Sequence, residues 1–320
     1  MLTTHHFLCT AQVERPLELD DHSGSALRGT LYEAIWRRFC TNKSAPTCAD
    51  CQLHLVCPVS AIVAPLREEH PRGRDIPRPY IMLPPLGTAR RYAPGETLIF
   101  GITLFGSIVQ LLPYIIMSVT MLEKDGLGRR LPENKGERGT FRIQHIEAYH
   151  PLTTERQRIY QAGKALVKAS PLSVCADDVA ARANTLPTDR ITLDFLTPTR
   201  LKSQEKFVSR VEFLSLIQRL TERLQELDTA YGDPATPPIV EDRARLVQLA
   251  AEITCEEDST NWQEVLSHSR RQHGFMHISG FTGKATFTGD LAPFRDILVW
   301  GALTHVGKST VKGNGWYTIE

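Results

Sequence analysis

The sequence predicts an α+β chain built from two tandem ferredoxin-like (βαββαβ, RRM-like) domains, and three observations carry that expectation. The chain has 320 residues, 42% of them apolar, which suffices for two domains that each bury a core. Short stretches of alternating or continuous apolar residues read as strands, and longer ones with apolar residues at helical spacing read as helices. The order of these stretches then repeats: strand, helix, two strands, helix, strand, once within residues 1–150 and again within 190–320.

In the first half a strand is expected near 5–13. A helix follows over about 26–39, because Leu27, Leu31, Ala34, Ile35 and Phe39 fall on one face. A cysteine- and proline-rich insertion occupies about 40–78. Strands are expected at 80–83 and 97–104. Residues 97–122 carry no charge, and a window of that length is enough to span a bilayer. Gly101 and Gly106 punctuate it, however, and 105–122 repeats apolar residues at helical spacing around Pro113, so a strand entering a core helix is expected and no membrane partner. A turn at Gly126 to Gly128 and an alternating strand at 140–149 complete the unit.

A polar, alanine-rich linker is expected at 151–189. In the second half, ITLDFLTPT reads as a strand over 191–199 with Thr197-Pro198 as its exit. A helix over about 207–227 places Val211, Leu214, Ile217, Leu220, Leu224 and Leu227 in one stripe. After the PATPPIV segment, HISGFTGKATFTG reads as two strands joined by a glycine turn. A helix near 291–303 and a last strand at 316–320 follow.

With 37 basic and 36 acidic residues, the net charge of +1 does not by itself point to a nucleic-acid partner. Its distribution is more informative. Residues 67–91 hold six Arg against three acids, 124–142 six Lys or Arg against three, and 200–210 four against one. Acid gathers instead in Glu241, Asp242, Glu252, Glu256, Glu257 and Asp258, which frees the basic segments to line one surface; solvated loops are the alternative reading. The N-terminal MLTTHHFLCTAQVERP lacks the basic start, long apolar run and cleavage site of a secretory signal, so a cytoplasmic address is expected.

Two local patterns carry chemistry. In HVGKSTVKGNGWY, Gly307, Gly313 and Gly315 precede the last strand, with Lys308 and Lys312 between them. Glycines so spaced let a loop adopt positive φ and bring N–H groups close to phosphate oxygens; a tight turn that needs glycine for shape alone is the competing reading. The GxxxxGK[ST] spacing of a nucleotide-triphosphate loop is absent. In the insertion, Cys40, Cys48, Cys51 and Cys57 place four thiols within 18 residues around one CxxC. Structural zinc is the first reading, and free thiols and an iron–sulfur cluster are left open beside it.

The segments LRGTLYEAI (27–35), DGLGRRLPENKGERGTFRI (125–143), FLTPTRLK (195–202), SRRQHGFMHISGFTGKATFTGDL (269–291) and GALTHVGKSTVKGNGWY (301–317), in this order, resemble the RAMP superfamily. The likeness is closest to the CRISPR-associated endoribonucleases that process precursor crRNA. The resemblance implies two ferredoxin-like domains with a positive cleft, a repeat RNA as substrate and one cut per repeat. It also implies a reaction needing no metal, in which the ribose 2′-OH attacks in line to leave a 2′,3′-cyclic phosphate and a 5′-hydroxyl. Family members draw a Tyr, a His and a Lys from the first helix and the segment after it, and Tyr32, His54 and Lys43 are the matching types. His305, beside the glycine loop, is the competing histidine; His145, His268, His273 and His277 rank lower. Gly307, Lys308, Lys312, Gly313, Gly315, Arg129, Arg130 and Arg271 are the expected phosphate contacts. The alternatives are a silent RAMP subunit that holds crRNA beside other CRISPR effector subunits, and a zinc-containing scaffold with no RNA role.

Overall fold

The computed structural model describes residues 1–66, 76–87, 90–164, 172–203, 206–269 and 274–320. The chain divides into an N-terminal unit, Thr3–Ser173 with Ala230–Gly232, and a C-terminal unit, Met1–Leu2, Val174–Thr229 and Asp233–Glu320.

The N-terminal unit runs β1 (Thr4–Val13), α1 (Gly24–Phe39), α2 (Pro58–Val63), β2 (Tyr80–Leu83), β3 (Thr97–Phe105), α3 (Leu112–Val119), β4 (Phe141–Tyr149) and β5 (Arg156–Gln161). Its antiparallel sheet has the order β2-β3-β1-β4-β5. Alternation sets the register: Phe7 lies opposite Ile102 and Ala148, and Cys9 opposite Phe100 and Ile146, so one face of the sheet is buried and mostly apolar. On the opposite face the buried His6 is satisfied by the hydroxyls of Thr4 and Thr103, each at 2.9 Å. Helix α1 buries Leu27, Leu31, Ala34 and Ile35, as its spacing predicts, while Phe39 is half-buried and packs edge-on against Tyr114 at 4.9 Å.

The uncharged stretch breaks where glycine and proline are placed. Strand β3 ends at Phe105, and Gly106 turns with φ 54° where any Cβ would run into the carbonyl of Tyr231. A 3₁₀ turn, Gly106–Leu111, then leads into α3, whose Pro113 occupies the first turn, where its missing N–H is harmless. Gly106–Asp125 is long and apolar enough to cross a membrane by composition. In the structure it is split at Val119, and Leu112, Ile115, Ile116 and Val119 are buried as α3 packs beside α1.

The C-terminal unit runs α4 (Ala176–Ala183), β6 (Arg190–Thr199), α5 (Phe213–Tyr231), α6 (Arg243–Ala250), β7 (Thr254–Asp258), β8 (Gly280–Thr288), α7 (Arg295–Thr304) and β9 (Tyr317–Ile319). Its sheet has the order β7-β8-β6-β9, again antiparallel between neighbours. Phe195 anchors the core, with ring centroids 5.0 Å from Phe281 and 5.6 Å from Tyr317, whose hydroxyl donates to the Leu298 carbonyl at 2.7 Å. Gly301 on α7 leaves room for Leu220 of α5, which a Cβ would meet at 2.7 Å.

Three expectations are corrected. The segment 151–189 is not a plain linker: it contains β5 on the sheet edge and α4, whose Cys175 amide and thiol both donate to Asp178. The second strand of the C-terminal unit is β7, TCEED, in place of a strand drawn from HISGFTGKATFTG; His277 instead belongs to a separate hairpin, Leu266–Ser269 with Gly274–His277. Helix α5 starts at Phe213, because Lys206–Phe207 pairs with Lys202–Ser203 in a small hairpin.

Candidate active site

Helix α1 ends at Phe39, and the chain then runs without regular structure to α2, so Tyr32, Lys43 and His54 are held by one helix and the loop that leaves it. Tyr32 is half-buried on α1, with the Arg28 guanidinium 5.4 Å from its ring centre. The exposed Lys43 folds back on the helix end: its ammonium donates to the Arg37 carbonyl at 3.0 Å and lies 5.6 Å from the Trp36 ring. A cation there also suits the negative end of the helix dipole. His54 is half-buried, and its Nδ1 lies 3.0 Å from the Cys51 carbonyl. A carbonyl only accepts, so Nδ1 donates there, and Nε2 is the ring nitrogen left for other partners. Among the described residues, no hydrogen bond or ring contact joins Tyr32, Lys43 and His54 to one another.

His305 stands in a different setting. It caps α7 with φ 58°, is 1% exposed, and stacks on Trp316 at 5.6 Å. Its Nδ1 pairs with the Asn314 carbonyl at 3.2 Å. Burial, and then the Arg223 guanidinium beside it, push its pKa down to about 3, so the ring is neutral and enclosed at physiological pH. Arg223 in turn donates to the carbonyls of Thr304 and His305, both at 3.0 Å.

The glycine loop is knitted to the end of β6. Gly307, Gly313 and Gly315 have φ of 85°, 88° and 74°, as the spacing predicts. Many of their backbone groups are already engaged: Lys308 N–H donates to Arg200, Lys312 to Ser309, Gly313 to Thr310 and Gly315 to Pro198, all carbonyls. The Thr197 hydroxyl donates to the Gly313 carbonyl and accepts from the Trp316 N–H, and Asn314 donates to the Ile278 carbonyl. The glycines thus serve close packing first, and the loop presents outward the exposed Lys308 side chain. Lys312 reaches Ser267 Oγ at 3.4 Å. Arg200 lies over the Phe207 ring at 3.6 Å and donates to the His277 carbonyl at 2.7 Å. Local spacing marks Thr197-Pro198 only as a strand exit and gives no sign that Thr197, Arg200 and Asn314 engage the loop.

The basic segment at 124–142 is less free than its composition implies. Arg129 pairs with Glu18 at 3.1 Å and Asp20 at 2.5 Å, Arg142 with Glu14 at 3.1 Å, and Arg130 donates to the Gly136 carbonyl at 3.3 Å. These exposed pairs hold little energy, so phosphate oxygens can displace them. Arg271, His268's side chain and His273 lie outside the described residues. Cys40, Cys48, Cys51 and Cys57 are all half-buried free thiols. Among the described residues, no group of three or more His, Cys, Asp or Glu is arranged to hold a metal ion as it stands. Burial pushes the Cys48 thiol up, helped by Cys57, Cys40 and Cys51, while Arg78 opposes.

Comparison with known proteins places both units. Residues 2–172 match a family model described as an N-terminal domain, and residues 193–317 match that of the CRISPR-associated endoribonuclease Cas6. The protein is therefore an endoribonuclease of the CRISPR-associated class. Over residues 193–317 the chain matches the Cas6 family. No curated protein matches the chain. Among solved structures, a Cas6 product complex is 15% identical over 99% of both chains, with a TM-score of 0.54. Thermus thermophilus Cas6 is 16% identical over 100% of this chain and 99% of that one, with a TM-score of 0.53. A partial Cas6-RT-Cas1–Cas2 complex gives 11% identity and a TM-score of 0.60, covering 100% of this chain and 46% of that longer one. At these identities the likeness concerns the fold.

Proposed function

We propose that this endoribonuclease cuts CRISPR repeat RNA to mature crRNA without a catalytic metal, with His54 as the base. The observation that carries the assignment of His54 is the contact of its Nδ1 with the Cys51 carbonyl at 3.0 Å, which engages that nitrogen and leaves Nε2 to accept a proton on a half-exposed ring. Nε2 takes the proton of the ribose 2′-OH and O2′ forms a bond to phosphorus. The P–O5′ bond breaks, and O5′ leaves as the 5′-hydroxyl with a proton taken from solvent water, so the other product is a 2′,3′-cyclic phosphate. Lys43 offsets charge on the phosphoryl oxygens once it leaves the Arg37 carbonyl, and Tyr32 orients the ribose-phosphate. His305, neutral and enclosed, supports the glycine loop instead.

We read both units as ferredoxin-like, on their matching strand orders. RNA phosphates are held by Lys308, Lys312 and Arg271 of the C-terminal unit and by Arg129 and Arg130 of the N-terminal unit. The glycines 307, 313 and 315 shape the loop that presents the lysines. Similar structures, a product complex and an assembly with Cas1–Cas2, support an RNA partner and further CRISPR protein partners. The test is incubation of purified protein with repeat RNA in EDTA, beside the same RNA carrying a single 2′-deoxy nucleotide before the cut. A site-specific cut that the deoxy substitution abolishes is expected. Tight binding with intact RNA would favour a silent subunit, and cleavage of the deoxy RNA would overturn the 2′-hydroxyl mechanism.

A further inference from the structure

We propose that Cys40, Cys48, Cys51 and Cys57 bind one zinc ion, which fixes the loop joining α1 to α2. The proposal does not rest on the RNA reading, although Lys43 and His54 lie in the same loop, and its test measures metal rather than cleavage. Of the sixteen residues 41–56, none is buried, and Leu53, Leu55 and Val56 are 45%, 74% and 81% exposed. A connection of this length with no core of its own needs another tie, and ligation of zinc is the usual means in a chain whose cysteines are unpaired. All seven cysteines here are free thiols.

The placement of the four thiols suits that role. Cys40 caps α1, its N–H donating to the Trp36 carbonyl at 3.1 Å, and Cys57 is the residue from which α2 starts, its carbonyl accepting from Ala61 at 3.0 Å. Helices α1 and α2 pack together, so two ligands stand on firm ends. The other two lie on a turn closed by the Cys51 N–H to the Cys48 carbonyl at 3.3 Å, the tight CxxC geometry that presents two sulfurs to one ion. Cys57, Cys40 and Cys51 are the acidic groups within electrostatic reach of Cys48, which brings all four into one neighbourhood. The sulfurs are not yet at ligand separation. Zinc supplies what draws them in, since thiolates left together repel, whereas each binds zinc at about 2.3 Å. Asn42 already donates to Cys51 Sγ at 3.5 Å, the kind of outer contact that orients a ligating thiolate.

The experiment uses the full chain, expressed with zinc supplied and purified without chelator, and measures metal by mass spectrometry in the absence of RNA. About one zinc per chain is expected, with loss of most of it in the Cys48→Ser/Cys51→Ser double variant and full retention in Cys255→Ser. Because the double variant can fail to fold, cobalt(II) is also titrated into wild-type protein stripped of metal under reducing conditions. It should produce the visible bands of tetrahedral thiolate-bound cobalt, which added zinc removes. Protein that carries no zinc and gives no such bands would overturn the proposal. So would iron with acid-labile sulfide in place of zinc, or a double variant that keeps its zinc.

Discussion

Replacing Gly315 by alanine tests whether the glycine loop is built for close packing. Its φ of 74° costs an alanine about 1–2 kcal/mol. The new methyl would also run into the Val306 carbonyl. Moving that segment weakens two hydrogen bonds, Val306 N–H to Gly315 at 3.0 Å and Gly315 N–H to Pro198 at 3.1 Å, each worth about 1 kcal/mol. The expected loss is about 3–4 kcal/mol for the C-terminal unit, read by urea denaturation. Tryptophan fluorescence reports on this unit, because Trp262, Trp300 and Trp316 belong to it. Gly163→Ala, in the N-terminal unit and read there through Trp36, is the control: its φ is 78° but no described residue lies within 4 Å of its missing Cβ, so only the backbone cost of about 1–2 kcal/mol applies. If Gly315→Ala costs no more than Gly163→Ala, the close-approach argument is wrong.

His305→Gln should change how stability depends on pH. The unfolded chain protonates its histidine near pH 6.5, whereas the folded state does so only near 3, so stability is fully present above about 6.5 and falls by about 1.4 kcal/mol per unit as pH drops through this window. The variant removes that part of the slope in denaturation curves taken between pH 7 and 4; an unchanged slope would show that His305 is not enclosed. Arg129→Ala should leave the urea midpoint unchanged, since its partners Glu18 and Asp20 are surface carboxylates. It should lower the salt slope of RNA binding by about 1, as should Lys308→Ala. An unchanged slope in either variant would remove that residue from the interface.

Legibility of the fold in the sequence followed the strength of the apolar pattern. Strands β1, β3 and β4 were readable because Phe7, Cys9, Ala11 and their partners alternate into one buried face. Strand β7 was not: Thr254–Asp258 lies on a sheet edge with three carboxylates exposed, so it carries charge where a buried strand would carry apolar residues. The start of α5 is hidden because Phe207 and Val211 continue the helical spacing, although Phe207 is exposed beneath Arg200. At the candidate site, glycine spacing announced the positive φ values but not the carbonyls of Pro198 and Arg200 that engage the loop's N–H groups. Proximity to Gly307 and Lys308 made His305 resemble a catalytic residue. Its enclosure by Trp316 and Arg223 comes from tertiary packing that no local spacing encodes. The ion pairs that occupy Arg129 likewise come from Glu18 and Asp20, far away in sequence.

The role of His54 is tested most directly by single-turnover cleavage of repeat RNA in EDTA, comparing wild type with His54→Ala at RNA concentrations that saturate both. Loss of general-base help should slow the cut by about 10²- to 10⁴-fold while RNA affinity stays the same. A variant that cleaves at the wild-type rate would contradict the assignment of His54 as the base.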